Sequence, residues 1–417
     1  MEIKRDDYLR KLASRKQNGM VKIVTGVRRC GKSYLLFRLF CGELLREGVQ
    51  KDHIIKVALD DLEYEALRNP HELYAYLKSR IIDDAQYYVI LDEIQFVPRF
   101  HEVLNSLLHK DNVDVYVTGS NSKFLSSDVV TEFRGRGDEV RVRPLCFREF
   151  MSAYDGSEEQ GWNEYFNYGG LPLILSMSEH ETKADYLKSL FEKVCMADIL
   201  ERHKLRNREE MDILMNILAS AVGSLTNPKK LADTFHSTRG LKISQATLKR
   251  YMGYLEDAFL ISRADRYDIK GKRYISTPSK YYFEDVGLRN ARLNFRQQEE
   301  NHIMENIIYN ELRVRGYSVD VGVVEINARG ENGNGHRRQL EVDFVADKVS
   351  RRYYIQSAFT MWPEEKAEQE RRSLNNIPDS FKKIIVVRDN ILPTRNEQGI
   401  LTLGVRQFLL DENSLEL

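Results

Sequence analysis

Short apolar runs alternate with amphipathic segments over the first third of the chain. Residues 20–25, 54–59, 87–92 and 113–119 are apolar runs of strand length. Helical patterns separate them, and such an alternation predicts a parallel sheet with helices on both faces. This block ends near Phe150, and the fold class that it predicts is α/β.

The pattern changes after residue 152. Residues 153–222 are mostly helical by periodicity, and residues 225–285 hold two short helical patterns followed by strand-like runs. Residues 296–417 open with another helical pattern. Strand-like runs then follow at residues 317–326, 340–346, 352–356 and 383–387, with a Gly- and Asn-rich loop at residues 329–336.

Composition sets limits on the partners. The 417 residues favour two to four domains. Lys plus Arg and Asp plus Glu both number 63, so nucleic-acid or membrane binding must come from a local patch. Four cysteines without paired or metal-ligand spacing indicate reduced thiols. The N-terminus lacks the apolar core of a signal peptide, and no stretch reaches the roughly 20 apolar residues of a membrane span. The sequence predicts a cytoplasmic protein with no membrane partner.

Residues 26–33 read GVRRCGKS and match the phosphate-loop pattern GxxxxGK[ST]. An apolar run precedes them and an amphipathic helix begins at Ser33, which is the context that the pattern requires. Glycines let backbone N–H groups close around phosphates, and the helix N-terminus adds a positive dipole end. Lys32 is expected to neutralise the β- and γ-phosphates of ATP, and the Ser33 hydroxyl to ligate Mg²⁺. The residues expected to surround the nucleotide are Gly26, Val27, Arg28, Arg29, Cys30, Gly31, Lys32, Ser33 and Tyr34.

Two carboxylates end the apolar run YYVILDE, about 60 residues after the phosphate loop. In open α/β sheets, ligands bind at the carboxyl ends of the strands. Asp92 is expected to hold the Mg²⁺ shell, and Glu93 to orient or deprotonate the attacking water. The two motifs therefore predict two parts of one site.

Two further segments could complete this site. After the run VYVTG, Ser120 or Asn121 could bond the γ-phosphate or the attacking water, and the alternative is a helix N-cap or a turn. Arg136 lies in the glycine-flanked segment RGRG. It could reach a neighbouring subunit's nucleotide and stabilise charge in the transition state. The alternative is a solvated basic loop, which the spacing alone favours.

Taken in order, the motifs resemble those of a known family. GVRRCGKSYLL, VILDEIQ, VTGSNSKFLSS, GRG and VRPLCFREF look like the bacterial and archaeal AAA-type ATPases that carry a C-terminal domain of unknown function. The resemblance continues through YFNYGGLPLIL, KYYFEDVGLRNA, EENHIMENIIYNEL and LEVDFV, and so covers nearly the whole chain. It implies that Arg136 is an arginine finger acting between copies of a homo-oligomer, and that Ser120 and Asn121 form the sensor segment.

The resemblance also implies an order of domains. A P-loop AAA-type parallel-sheet core is expected over residues 1–152 and a helical lid over residues 153–222. A winged-helix domain is expected over residues 223–295. Residues 296–417 are expected to form an α/β domain similar to the restriction-endonuclease-like PD-(D/E)xK nucleases.

Residues 244–282 form the segment that could contact double-stranded DNA. Asn227 and Pro228 predict the start of one helix, and Ser244 can cap a second. KGKRY and PSKYY interleave basic residues with tyrosines, which suits phosphate contact beside a recognition helix. The alternative is a solvated helix in a domain that packs against protein. The polar face of the second helix carries Gln245, Thr247, Lys249 and Arg250.

The nuclease-like segment departs from an active site at two positions. Enzymes of that fold use a helical Glu, then an Asp, then E-x-K, to hold Mg²⁺ and activate water. Glu305 and Asp343 match the first two, but Gln356 and Ala358 stand where the second acid and the lysine are expected. The sequence therefore predicts a domain without nuclease activity that serves as a scaffold or a binding surface.

Three functions compete. The leading interpretation is a Mg²⁺-dependent ATPase that couples hydrolysis to domain movement on DNA or a protein partner. The second is a nucleotide-gated module that turns ATP over very slowly and docks its winged helix on DNA. The third is an ATP-controlled nuclease, which the substituted E-x-K residues disfavour.

Overall fold

The computed structural model of the protein describes residues 3–119, 135–205, 207–296, 299–329 and 335–417. Its chain forms two compact units. The first holds the described residues up to Pro144, together with Leu171–Leu173 and Asp257–Phe259. The second holds the remainder, and each unit has its own β-sheet.

Within the described residues, the first unit is built on five parallel strands in the order β2-β3-β4-β1-β5. The first described helix precedes β1, and the others lie between successive strands along the chain. In chain order the elements are α1 (Asp6–Ala13), β1 (Val21–Thr25), α2 (Lys32–Tyr34, continued by the π-helical Leu35–Phe40 and the α-helical Cys41–Arg46), β2 (Ile54–Ala58), α3 (Pro70–Arg80), β3 (Tyr87–Asp92), α4 (Phe100–Leu107), β4 (Val113–Thr118) and β5 (Gly137–Arg141), with 3₁₀ turns at Lys51–His53, Leu62–Arg68 and Ile94–Phe96.

The central strands of this sheet are apolar runs because both of their faces are covered. Every residue of β1, β3 and β4 is buried. Such continuous burial is typical of parallel sheets with helices on both faces. The register pairs Val24 with Thr118 and Ala58 with Asp92, so the carboxyl ends of these strands lie at one edge. The α/β prediction is therefore confirmed, and this edge is where the sequence motifs meet.

The second unit contains helices followed by a mixed sheet, in the order β12-β13-β11-β10-β9-β8-β6-β7 among the described residues. Its elements are α5 (Phe147–Met151), α6 (Glu158–Tyr168), α7 (His180–Leu190, continued by the π-helical Phe191–Met196 and the α-helical Ala197–Arg202), α8 (Arg208–Ser220), α9 (Pro228–Arg239), α10 (Gln245–Asp257), β6 (Ile261–Asp268), β7 (Arg273–Phe283), α11 (Val286–Arg292), α12 (Glu300–Val314), β8 (Ser318–Arg329), β9 (Gly335–Lys348), β10 (Arg351–Ala358), α13 (Glu364–Asn375), β11 (Lys382–Val387), β12 (Thr394–Arg395), β13 (Leu401–Gly404) and α14 (Val405–Leu410), and a 3₁₀ turn at Pro172–Ser176 precedes α7.

The sheet of the second unit continues across the domain boundary predicted at residue 295. β6 pairs in parallel with β8, so the hairpin assigned to a winged helix and the strands assigned to a nuclease-like domain share one sheet. The division into four domains stays a prediction.

The helices of the winged-helix candidate begin where the sequence places them. Asn227 accepts a hydrogen bond from the Lys230 N–H, and Ser244 accepts one from the Thr247 N–H. The side chains of Lys249 and Arg250 on α10 are exposed, as predicted. One part of the predicted phosphate-contacting face is wrong: Lys280, in PSKYY, is only 3% exposed. Its ammonium group pairs with buried carboxylates and is withdrawn from solvent.

Two of the sequence motifs meet around a buried aspartate. Asp285 accepts hydrogen bonds from the backbone N–H groups of Gly170 (2.8 Å) and Leu288 (3.0 Å). A Cβ on Gly169, whose φ is +72°, would lie 2.3 Å from Asp285 Oδ1. Burial raises the pKa of Asp285 to about 6, although the backbone hydrogen bonds oppose that shift. The motifs YFNYGGLP and FEDVG are therefore packing partners.

No described helix combines the length and the apolar character needed to cross a membrane.

Candidate nucleotide site

The loop after β1 has a backbone that only particular residues can adopt. Gly26 has φ of +141°, and a Cβ there would lie 2.0 Å from the carbonyl oxygen of Val142. Since that neighbour is backbone, it cannot rotate away, and only glycine fits. Arg29 and Gly31 also have positive φ, at +66° and +97°. Backbone of this kind turns successive N–H groups into a concavity that binds anions.

Lys32 begins α2 with its side chain folded over this loop. Its Nζ donates to the carbonyl oxygens of Gly26 (3.0 Å) and Val27 (3.2 Å). The side chains of Val27 and Cys30 are buried beneath the loop. Val27 and Cys30 can therefore contact phosphates only through their backbone N–H groups. Lys32 instead places its ammonium group directly against the loop.

Asp92 ends β3 at the same edge of the sheet. Its carboxylate accepts hydrogen bonds from the hydroxyls of Thr118, at the end of β4, and Ser33. Burial raises the pKa of Asp92, against the effect of these two hydrogen bonds. A divalent cation favours the ionised carboxylate, and a hydroxyl beside an aspartate is a donor set that suits Mg²⁺. The residues therefore fit Mg²⁺–ATP.

Glu93 follows directly and turns away from the strand with φ of +51°. Its N–H donates to the Thr118 hydroxyl at 2.9 Å, and the Gln95 side-chain amide donates to its carboxylate. The Thr118 hydroxyl thus contacts both the Asp92 carboxylate and the Glu93 backbone N–H. Sequence reasoning assigned no role to Thr118 or Gln95, although both lie within the motifs VTGSNS and DEIQ.

One predicted residue is not brought to this edge. β5 pairs Gly137 with Val21 and Arg141 with Thr25, so Arg136 lies at the amino edge of the sheet. Four strand residues, or about 13 Å, separate the two edges. Arg136 is therefore no part of this chain's own phosphate loop. Asn121, together with Ser120, lies outside the described residues.

The phosphate loop is also held from the N-terminus by Arg5. This buried side chain donates to the carbonyl oxygen of Cys30 within the loop (3.2 Å) and to that of Arg143 (2.7 Å). Its guanidinium lies 4.5 Å from the centre of the Tyr8 ring. The Tyr8 hydroxyl in turn accepts from the Arg143 N–H at 3.1 Å. Arg5 therefore connects α1, the phosphate loop and the segment after β5. No sequence motif pointed to it.

Replacing Arg5 with alanine is expected to weaken ATP binding about tenfold, since buried hydrogen bonds from a charged group contribute roughly 1.5–3 kcal/mol. Arg5→Lys should recover part of the loss. Arg10→Ala is the matched control, because Arg10 lies on α1, the helix that Arg5 directly precedes, with its side chain 68% exposed. Dissociation constants for a fluorescent ATP analogue test the effect. Equal affinities for Arg5→Ala and Arg10→Ala would show that Arg5 does not position the loop.

The parallel sheet, the phosphate loop and the paired acids define a nucleotide-binding fold of the P-loop ATPase class. Residues 18–151 match the family described as an AAA domain, and residues 159–299 match a domain of unknown function, DUF8612. An uncharacterized protein of Haemophilus influenzae is 32% identical over 414 residues, which is 98% of either chain. The chain therefore belongs to this family of bacterial and archaeal AAA-type ATPases.

More distant similarities extend to archaea and to solved structures. An uncharacterized protein of Methanocaldococcus jannaschii is 28% identical over 341 residues, covering 78% of this chain and 71% of its own. The Aeropyrum pernix ORC1 protein, solved in complex with DNA, is 13% identical, with 70% of this chain and 92% of that one covered and a TM-score of 0.30. The structural likeness is too low to bear on partners or mechanism.

Proposed function

We propose that the protein binds ATP with Mg²⁺ and hydrolyses it, and that the nucleotide state changes the conformation through which it acts on DNA or a protein partner. One observation carries the proposal: the phosphate loop, Asp92 and Glu93 converge at the carboxyl edge of the parallel sheet, with Thr118 joining the two acids. This arrangement assigns a separate task to each group.

The groups divide the work of binding and hydrolysis. The backbone of residues 26–33 and the Lys32 ammonium bind the phosphates. Ser33 and Asp92 would hold Mg²⁺, which supplies charge neutralisation at the β- and γ-phosphates. The Glu93 carboxylate takes a proton from water, or orients it, for attack on the γ-phosphorus, and the bond from that phosphorus to the β–γ bridging oxygen breaks to release ADP. Gln95 sets the direction of that carboxylate through its hydrogen bond.

Arg136 enters the proposal as a residue that acts between subunits. Its side chain is exposed at the amino edge, away from its own phosphate loop. An arginine in that place can stabilise transition-state charge only at the nucleotide of a second copy. The proposal therefore includes a homo-oligomer that forms when ATP is bound.

A slow-turnover DNA-binding module is the second candidate. Gln95 engages the Glu93 carboxylate, which would restrain a general base. Gln245, Lys249 and Arg250 are exposed on α10. Lys272, in the turn between β6 and β7, and Arg273, at the start of β7, are exposed as well. Without Lys280 this basic surface is smaller than the sequence predicted, but it is one that phosphates could contact.

Steady-state phosphate release with and without double-stranded DNA separates these functions. If the protein couples hydrolysis to work on a partner, it should hydrolyse ATP by itself and do so faster when that partner is present. Stimulation by DNA that is lost in Lys249→Ala/Arg250→Ala would identify the partner class. ATP turnover at the detection limit both with and without DNA would reject coupled hydrolysis and leave the slow-turnover DNA-binding module as the function. Light scattering of the same samples, with and without ATP, tests the homo-oligomer.

A further inference from the structure

A buried lysine occupies the centre of the carboxylate cluster in the second unit. Lys280, on β7, places its Nζ 2.8 Å from Glu305 Oε1, 2.8 Å from Glu341 Oε1 and 3.4 Å from Asp343 Oδ1. The side chains of Lys280, Glu305 and Asp343 are 4%, 9% and 10% exposed. An ammonium group has three N–H donors, and here three carboxylates surround it.

Other groups also donate to the carboxylates of the cluster. Ser357 N–H donates at 2.9 Å to Asp343 Oδ2, the oxygen turned away from Lys280, and the Tyr282 hydroxyl donates at 2.6 Å to Glu305 Oε1, the same oxygen that faces Lys280. Gln356, at the position of the missing acid, donates through its amide to Glu370 at 3.1 Å. With Lys280 in its place, no three His, Cys, Asp or Glu side chains in the described part of the chain are grouped so that they could hold a metal ion.

The charges of the cluster agree with a protonated lysine. Burial alone would lower the pKa of Lys280, but Glu305, Asp343 and Glu341 raise it above its usual range. Burial, and then the charge of Glu305, raise the pKa of Asp343 to about 7. The cluster thus holds one internal cation among three carboxyl groups.

We propose that Lys280 is the resident cation of this cluster, that it takes the place a divalent metal would hold in a nuclease-like site, and that it joins β7 to α12 and β9 as a fixed scaffold. Mg²⁺ binds oxygens at 2.0–2.1 Å in an octahedron and cannot share the centre with an ammonium group. The proposal concerns a different site from that for ATP and is independent of hydrolysis.

The position of Lys280 in the chain explains why the sequence did not reveal it. The lysine comes from the hairpin assigned to the winged-helix domain, 25 residues before Glu305 and 63 before Asp343. It therefore does not replace the missing lysine at Ala358 in the E-x-K pattern. It belongs to another strand, and the sheet that spans both segments brings it to the acids.

Mn²⁺ titration of the full chain without nucleotide, followed by electron paramagnetic resonance, tests the proposal. Wild-type protein is expected to show no saturable Mn²⁺ site at the cluster. Lys280→Ala should gain one saturable Mn²⁺ site, because removing the ammonium group leaves the acids without a counter-ion and an uncompensated buried charge costs several kcal/mol. Lys280→Ala/Asp343→Asn should lose that site. Lys270→Ala, on the exposed turn before β7, is the control and should behave as wild type.

Two results would overturn the proposal. One is a wild-type Mn²⁺ site, or Mn²⁺-dependent DNA cleavage, that disappears in Asp343→Asn. The other is a folded Lys280→Ala protein that binds no more Mn²⁺ than wild type does. If Lys280→Ala does not fold, the comparison of wild type with Asp343→Asn decides. If neither wild type nor Asp343→Asn binds Mn²⁺ at the cluster, the result supports Lys280 as its resident cation.

Discussion

Glu93→Gln is expected to lower steady-state ATP turnover by about 100- to 10,000-fold, the range that a positioned general base contributes. Glutamine has the same shape and can keep the backbone hydrogen bond to Thr118 and a contact with Gln95. It cannot take a proton from water. ATP affinity should stay within a few-fold of wild type, because Lys32 and the loop are unchanged. Phosphate release and equilibrium binding of a fluorescent ATP analogue, measured on the same preparation, separate the two effects.

Glu102→Gln is the matched control for the loss of a negative charge. Glu102 lies on α4 with its side chain 53% exposed, and the structure pairs it with Arg99. Turnover in that variant should equal wild type. If Glu93→Gln hydrolyses ATP at the wild-type rate, another group activates the water. If it loses ATP binding as well, Glu93 supports the loop and is not the base.

Gly26→Ala is expected to lower ATP affinity by at least about 100-fold. The added Cβ would lie 2.0 Å from Val142 O, and φ of +141° is a backbone conformation that alanine rarely adopts. To relieve this clash, the phosphate loop must move away from the segment after β5. Because the loop N–H groups must point at phosphate oxygens together, that movement removes several hydrogen bonds at once. Isothermal titration with ATP and Mg²⁺ measures the loss.

Gly42→Ala controls for the addition of a methyl group in the same unit. Gly42 lies in the helical continuation of α2, and a Cβ there meets no atom within 4 Å. That variant should bind ATP normally and gain up to about 1 kcal/mol in stability from helix propensity. Thermal unfolding of both variants shows whether Gly26→Ala loses binding or loses the fold. Wild-type affinity in Gly26→Ala would mean that the close approach to Val142 is not needed.

Local sequence patterns predicted four of the five described strands of the first unit. β1 to β4 are largely apolar runs, and the phosphate loop, the paired acids and VTGSNS each lie at the end of one of them. β5, with the sequence GDEVR, is mostly polar and was not predicted. Parallel strands with right-handed connections place those turns at one edge, so separate motifs could be assigned to one site. The position of Arg136 at the opposite edge follows from the same rule, once β5 is known to begin at Gly137.

Patterns predicted the second unit less well, and β8 and β9 show why. Apolar residues indicated strands at 317–326 and 340–346, but the strands extend over Ser318–Arg329 and Gly335–Lys348. The additional residues, such as Asn327 and Arg337, are polar and pair across the hairpin through their backbone. Backbone pairing does not require apolar side chains, so periodicity could not detect it.

The amino-acid sequence by itself determined the phosphate loop, the two acids that follow β3 and the parallel sheet that presents them, because all of these depend on neighbouring residues. Only the tertiary structure decided that Thr118 and Gln95 hold the acids, that Arg5 supports the loop and that Lys280 lies among buried carboxylates. Each of those contacts except that of Gln95 joins residues 25 or more positions apart. A sequence pattern predicts that a charged side chain is exposed, because burial of a charge is costly without partners. Only the tertiary structure shows the distant residues that compensate for that cost.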